Sequence, residues 1–154
     1  DAMTWTPASL EGGDGIGEVE QLAIDGSGRW VAIGSLNGRI VAWRSTDRGL
    51  SWAIAADFGP VGESTRSGFR LASAPDGFIA VSTDDPAVTW TSADGVIWTA
   101  GAPQRPAGLP EGRTMLWASG IARIGDTLIV GGSAVGPEGQ GDDQWLAWRG
   151  RIQR

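Results

Sequence analysis

The chain has 154 residues, 41% of them hydrophobic, and a formal net charge of −6. That is apolar enough to bury a core, which excludes a disordered chain, while the acidic balance and scattered arginines exclude a nucleic-acid partner that needs a basic face. Cysteine, histidine, lysine and tyrosine are all absent, which removes disulfides, thiolate and imidazole metal sites, and histidine-based proton transfer.

Twenty-five glycines and nine tryptophans point to short strands joined by glycine turns, with indoles filling the core. No run of about eighteen apolar residues occurs, so no membrane insertion is expected. In chain order, Thr4-Trp5-Thr6-Pro7 reads as a strand with no partner before it. Gln21–Ile24 and Arg29–Ile33 flank the turn Asp25-Gly26-Ser27-Gly28. Val41-Ala42-Trp43-Arg44 supplies a third strand and Ser51-Trp52-Ala53-Ile54 a fourth. The pattern returns as Phe69–Ala72, the turn Pro75-Asp76-Gly77, Phe78–Val81, then Val88-Thr89-Trp90-Thr91 and Ile97-Trp98-Thr99-Ala100. It returns again as Gly120–Ile124, the turn Gly125-Asp126, Thr127–Val130 and Leu146-Ala147-Trp148-Arg149, with no fourth strand after it. Glycine beside aspartate between β-branched runs marks each hairpin, because these turns require positive φ.

The most specific motif sits between third and fourth strands. Ser45-Thr46-Asp47-Arg48-Gly49-Leu50-Ser51-Trp52 fits Ser-x-Asp-x-Gly-x-x-Trp, and Ser92-Ala93-Asp94-Gly95-Val96-Ile97-Trp98 is a version one residue shorter. Serine and aspartate oxygens accept backbone N–H bonds within such a turn, glycine takes the positive φ, and tryptophan plugs the gap between strands. These motifs, each after a Trp-bearing strand, resemble the Asp-box (BNR-type) β-propellers of bacterial secreted proteins, sialidases and sortilin-like receptors. The resemblance implies an all-β β-propeller of three four-stranded antiparallel blades. It also implies a secreted or cell-surface bacterial setting, and structural roles for Ser45, Asp47, Gly49, Trp52, Ser92, Asp94, Gly95 and Trp98.

The expected organisation is one repeat domain over 1–154, with blades at 8–57, 58–103 and 104–154. The last blade lacks its fourth strand, and segment 1–7 is the complementary strand. Closed propellers use about four to eight blades, so the expected partner is a second half, as a homodimer closing a six-bladed ring; half of a longer propeller is the alternative. The long loops 8–17, 58–68, 101–114 and 132–143 fall on one face, where a ligand site is expected. Glu18, Arg66, Arg113 and Trp117 are its candidates, with Trp117 beside Arg113 suited to a carbohydrate ring and a protein ligand the other option. No catalytic residue, metal or cofactor is expected. A sialidase mechanism requires a tyrosine that the chain lacks, and no spacing selects a glycosidase carboxylate pair. The expectation is a non-catalytic binding or assembly module. The alternatives are a glycan-binding lectin, which calls for a Trp/Arg pair in each blade and is weakened because Trp43-Arg44 and Trp148-Arg149 share it but Trp90-Thr91 does not, and a fragment of a carboxylate-dependent glycosidase.

Overall fold

The computed structural model describes residues 4–61, 68–83, 87–104, 114–136 and 144–152, with backbone alone for 114–117. Among these, every regular element is a β-strand. Sheet I contains β1 (Ser9–Leu10), β2 (Gly17–Ile24), β3 (Trp30–Leu36), β4 (Arg39–Ser45) and β5 (Ser51–Pro60), in the order β1-β5-β4-β3-β2. Sheet II is β6 (Phe69–Ala74), β7 (Gly77–Ser82), β8 (Thr89–Ser92) and β9 (Thr99–Ala100), and sheet III is β10 (Thr114–Ile124), β11 (Thr127–Val135) and β12 (Gln144–Arg151). Neighbouring strands are antiparallel and sequential, except that β1 runs parallel to β5.

The three sheets share one register. Across the first three strands of each, Leu22, Ala32 and Trp43 lie opposite one another in sheet I, Leu71, Ala80 and Trp90 in sheet II, and Ile121, Val130 and Trp148 in sheet III. Because side chains alternate across a strand, the adjacent rows point the other way: Ala23-Val31-Arg44, Ala72-Ile79-Thr91 and Ala122-Ile129-Arg149. The tryptophan row always faces backward along the chain. Leu71 and Ala80 pack with Ala23 and Val31 of sheet I, with Trp90 against them. Ile121, Val130 and Trp148 pack against Ala72 and Ile79 of sheet II. Sheet II is thus covered on both sides, and all six residues of β7 are buried. That is why Phe78-Ile79-Ala80-Val81 reads as a continuous apolar run rather than an alternating one. Phe78, Ile79 and Val81, withdrawn from water, each stabilise by about 1.5–3 kcal/mol. Between sheets, β6 touches both β2 and β10, so the first strands stand side by side.

The sequence reading and the structure differ at the edges. Thr4–Pro7, expected as a strand, takes no regular structure and is exposed. The chain instead enters at β1, where Ser9 and Leu10 lie beside Ser51 and Trp52. It then crosses the backward face of sheet I, where the Glu11 carbonyl accepts the Trp43 indole N–H at 3.1 Å. Trp43 is only 1% exposed there, clustered with Ala32, Val41 and Trp52. An isolated backbone carbonyl finding an indole partner is a tertiary event, invisible to local pattern. The fourth strand of sheet I is longer than expected, reaching Pro60, and that of sheet II shorter, only Thr99–Ala100.

Candidate functional site

Each of the two Ser-Asp-Gly-Trp boxes read from the sequence closes a polar turn on itself. In the first, Ser45 Oγ accepts the N–H groups of Asp47 (3.3 Å) and Gly49 (2.8 Å) and donates to Asp47 Oδ1 at 2.8 Å. Asp47 Oδ1 also accepts the Ser51 N–H at 2.8 Å, and Oδ2 the Ser51 hydroxyl at 2.5 Å. Gly49 adopts φ 86°, and its carbonyl accepts the Trp52 indole N–H at 3.1 Å. Trp52 then meets Trp30 edge-on, centroids 6.4 Å apart. The second box repeats this chemistry with one residue fewer. Ser92 Oγ accepts the Gly95 N–H at 2.8 Å and donates to Asp94 Oδ1 at 3.1 Å. Asp94 Oδ1 accepts the N–H groups of Val96 and Ile97 at 2.8 and 2.9 Å, and Trp98 donates to the Gly95 carbonyl at 3.3 Å.

Such bonds favour the charged carboxylate. The Ser51 hydroxyl, the Ser51 N–H and Ser45 hold Asp47 down to about 2. The Ile97 and Val96 N–H groups lower Asp94 in the same way. Both carboxylates are spent on their own turns, and both move away from the range in which an acid exchanges protons near neutrality. Glu20 moves oppositely. Burial at the junction of sheets I and II raises it, against the Phe69 N–H that it binds at 2.8 Å. Its Oε2 stands 4.0 Å from Arg70, and nearby Glu18 raises it further.

Asp25 is the polar residue that sequence reasoning missed, having assigned it only to a turn. It is buried, and its Oδ1 accepts the Ser27 and Arg29 N–H groups at 2.9 and 3.0 Å. Its Oδ2 accepts Arg29 Nε at 2.6 Å and also meets Nη2. Burial raises its pKa, but the Arg29 and Ser27 bonds outweigh that and the net shift is downward. The available signal was the Asp-x-Ser-x-Arg spacing, which closes a turn on a paired guanidinium.

The loop-face candidates are only partly visible. Glu18 is exposed on β2 opposite Ser35, and Trp117 lies on β10 opposite Ser133, the same register position in sheets I and III. Arg66 and Arg113 lie outside the described residues. Clefts are found elsewhere, one of them between sheets II and III. A cleft of about 480 Å³ is lined there by Asp76, Thr91, Asp94, Thr99, Arg123 and Ile152. Arg123 bonds Asp76 Oδ2 at 3.0 Å and the Gly125 carbonyl at 3.0 Å. A smaller cleft of about 280 Å³ borders sheets I and II, with Arg44 in the register position that Thr91 holds in the first. Among the described residues, no group of three or more acidic side chains is arranged to hold a metal ion. No protein-family model matches the chain, and no curated protein matches it either.

Proposed function

We propose that this chain is a non-catalytic binding or assembly module built as three consecutive blades of an Asp-box-type β-propeller. One observation carries the reading: three sheets in common register, the second and third each turning its tryptophan row onto the sheet before it, with the first strands adjacent. Radial repetition of this kind is how propellers bury sheet faces. The depressed Asp47 and Asp94 support the non-catalytic half, since neither is poised to give or take a proton near neutrality. Among the described residues the one raised carboxyl, Glu20, is engaged with the Phe69 backbone. Purified chain assayed on glycosides, esters and peptides is expected to give no turnover above a mock preparation. Reproducible hydrolysis abolished by Glu20→Gln or by any single acidic substitution would defeat the proposal.

Glycan binding is the second reading, and the clefts recurring at successive sheet junctions favour it. A hydroxyl-rich ligand suits the cleft formed by Thr91, Thr99 and the Arg123–Asp76 pair. Binding on a glycan array that is lost in Arg123→Ala, and kept in Arg113→Ala and Trp117→Ala, would favour this reading over a loop-face site.

A further inference from the structure

The two outermost faces of the three-sheet array differ from their own repeats in one respect, which is cover. At the forward-facing position of the second strand, Val31 is 0% and Ile79 2% exposed, whereas Ile129 is 40% exposed. In the first strand, Ala23 and Ala72 are buried and Ala122 is exposed. The forward face of sheet III also presents Trp145, 80% exposed. At the other end, the backward-facing Leu71 of sheet II is 6% exposed, but its counterpart Leu22 on sheet I is 49% exposed. Ile24 beside it is 42% exposed. Adjoining apolar side chains left in water on a sheet face mark an interaction surface.

The occupant follows from the junctions already formed. Val31 shares one buried cluster with Leu71, and Ile79 packs with Ile121 in the next. The same step taken once more brings Ile129 onto a residue in the position of Leu71 and Ile121. Within the chain, the one such position left uncovered is Leu22. The segment entering sheet I already lies as a junction requires. Leu10 and Glu11 cover the outer half of the Trp43 face, as Phe58 covers Trp90 at the first junction, with ring centroids 5.4 Å apart. The inner half, Leu22 and Ile24, stays open. Upstream, Trp5 is 82% exposed on an unpaired segment, while Trp52 of the first Asp box is 8% exposed. Among the described residues β12 pairs only with β11, and no described strand takes its other edge.

We propose that the forward face of sheet III seats on the backward face of sheet I of a second copy, placing Ile129 against Leu22 of that copy. Its Thr4–Pro7 segment then adds to the free edge of β12. Two such junctions related by a two-fold axis close a ring, cover both end faces and pair the outer edge of β12. This inference rests on the propeller reading above, and its test separates the two.

The 154-residue chain is expected to run at twice its monomer mass by light scattering. Ile129→Glu and Leu22→Arg, both at exposed positions of the isolated chain, are each expected to give folded monomers by near-UV circular dichroism. Each loses at least about a hundredfold in association, because an unpaired charge enters an apolar junction. An equimolar mixture of the two is expected to recover the dimer. A pair of unlike variants contains one Glu–Arg junction and one unaltered junction, which a dimer seating sheet I on sheet I or sheet III on sheet III does not provide. Trp5→Ala is expected to weaken association about tenfold, and an unchanged Kd would remove the strand exchange. A monomeric parent chain would overturn the inference. So would a dimer indifferent to both face substitutions, a mixture that fails to recover, or an open ladder of larger assemblies. None of these outcomes touches the absence of turnover, on which the module reading is tested separately.

Discussion

At the scale of single residues, the polar chemistry of this chain is inward-looking. Asp47 is exposed, yet its oxygens are filled by Ser45 and Ser51, so its charge organises a turn instead of facing a ligand. Because its folded pKa of about 2 lies below the ordinary 3.8, its contribution to stability is fully present above the ordinary value. It is lost as pH falls through the folded value. Calorimetry is therefore expected to show Asp47→Ala melting several degrees below the parent at pH 7, with the gap narrowing below pH 4 and closing near pH 2. A gap independent of pH would mean that side-chain packing, not the carboxylate, holds the box together. Glu20 has the opposite sign. Burial raises its pKa, so the stability linked to its proton is full below the ordinary 4.5 and declines as pH rises through the folded value.

At the scale of elements, what was legible in the sequence is what local chemistry dictates. Asp25-Gly26-Ser27-Gly28 and the two boxes require particular oxygens and positive φ values within a few residues, and the structure has Gly28, Gly49 and Gly95 at φ 77°, 86° and 78°. The recurring Trp43, Trp90 and Trp148 were legible for the same reason, since a repeated residue in a repeated strand needs no tertiary knowledge. The parallel pairing of β1 with β5 was not legible, because two residues carry no periodicity and their partner lies some forty positions away. The concave surface was the least legible feature. Glu18 and Trp117 share a register position in sheets I and III, but the visible clefts form between sheets, from residues whose adjacency only packing creates. Gly95 joins the two levels. A Cβ there would sit 2.4 Å from Val31 Cγ2 across the first junction, whereas one at Gly49 meets its nearest neighbour, Trp30, at 3.4 Å. Both glycines have positive φ, so both alanine substitutions are strained, at about 1 kcal/mol each. Only Gly95→Ala also overpacks a sheet junction, adding about 1–3 kcal/mol. Denaturant titration is expected to rank Gly95→Ala as the more damaging, and equal losses would place the cost in the turn alone.

At the scale of the whole molecule, cover is distributed unevenly, and stability should follow it. Sheet II is enclosed by its neighbours, while sheet III meets the rest of the chain through one face. Among the described residues, Leu128 is the single fully buried side chain that sheet III contributes to the cluster it shares with sheet II. The opposite face of sheet III leaves Ile124 and Ile129 in contact with water. Local opening free energies track buried apolar contact, so β10–β12 are expected to open without unfolding β3, β4 and β7. Hydrogen exchange read by mass spectrometry is expected to give amides in β10–β12 protection at least about tenfold lower, corresponding to about 1.4 kcal/mol. The measurement has a second axis. A ligand that binds only the folded form stabilises the surface it covers in proportion to the logarithm of its concentration. If a second copy covers the forward face of sheet III, protection in β10–β12 rises with protein concentration while that of β7, already enclosed, does so less steeply. The Ile129→Glu chain should then lose the concentration dependence and keep the low-protection profile. Uniform protection across the three sheets at every concentration would contradict the link between cover and stability from which the prediction is made.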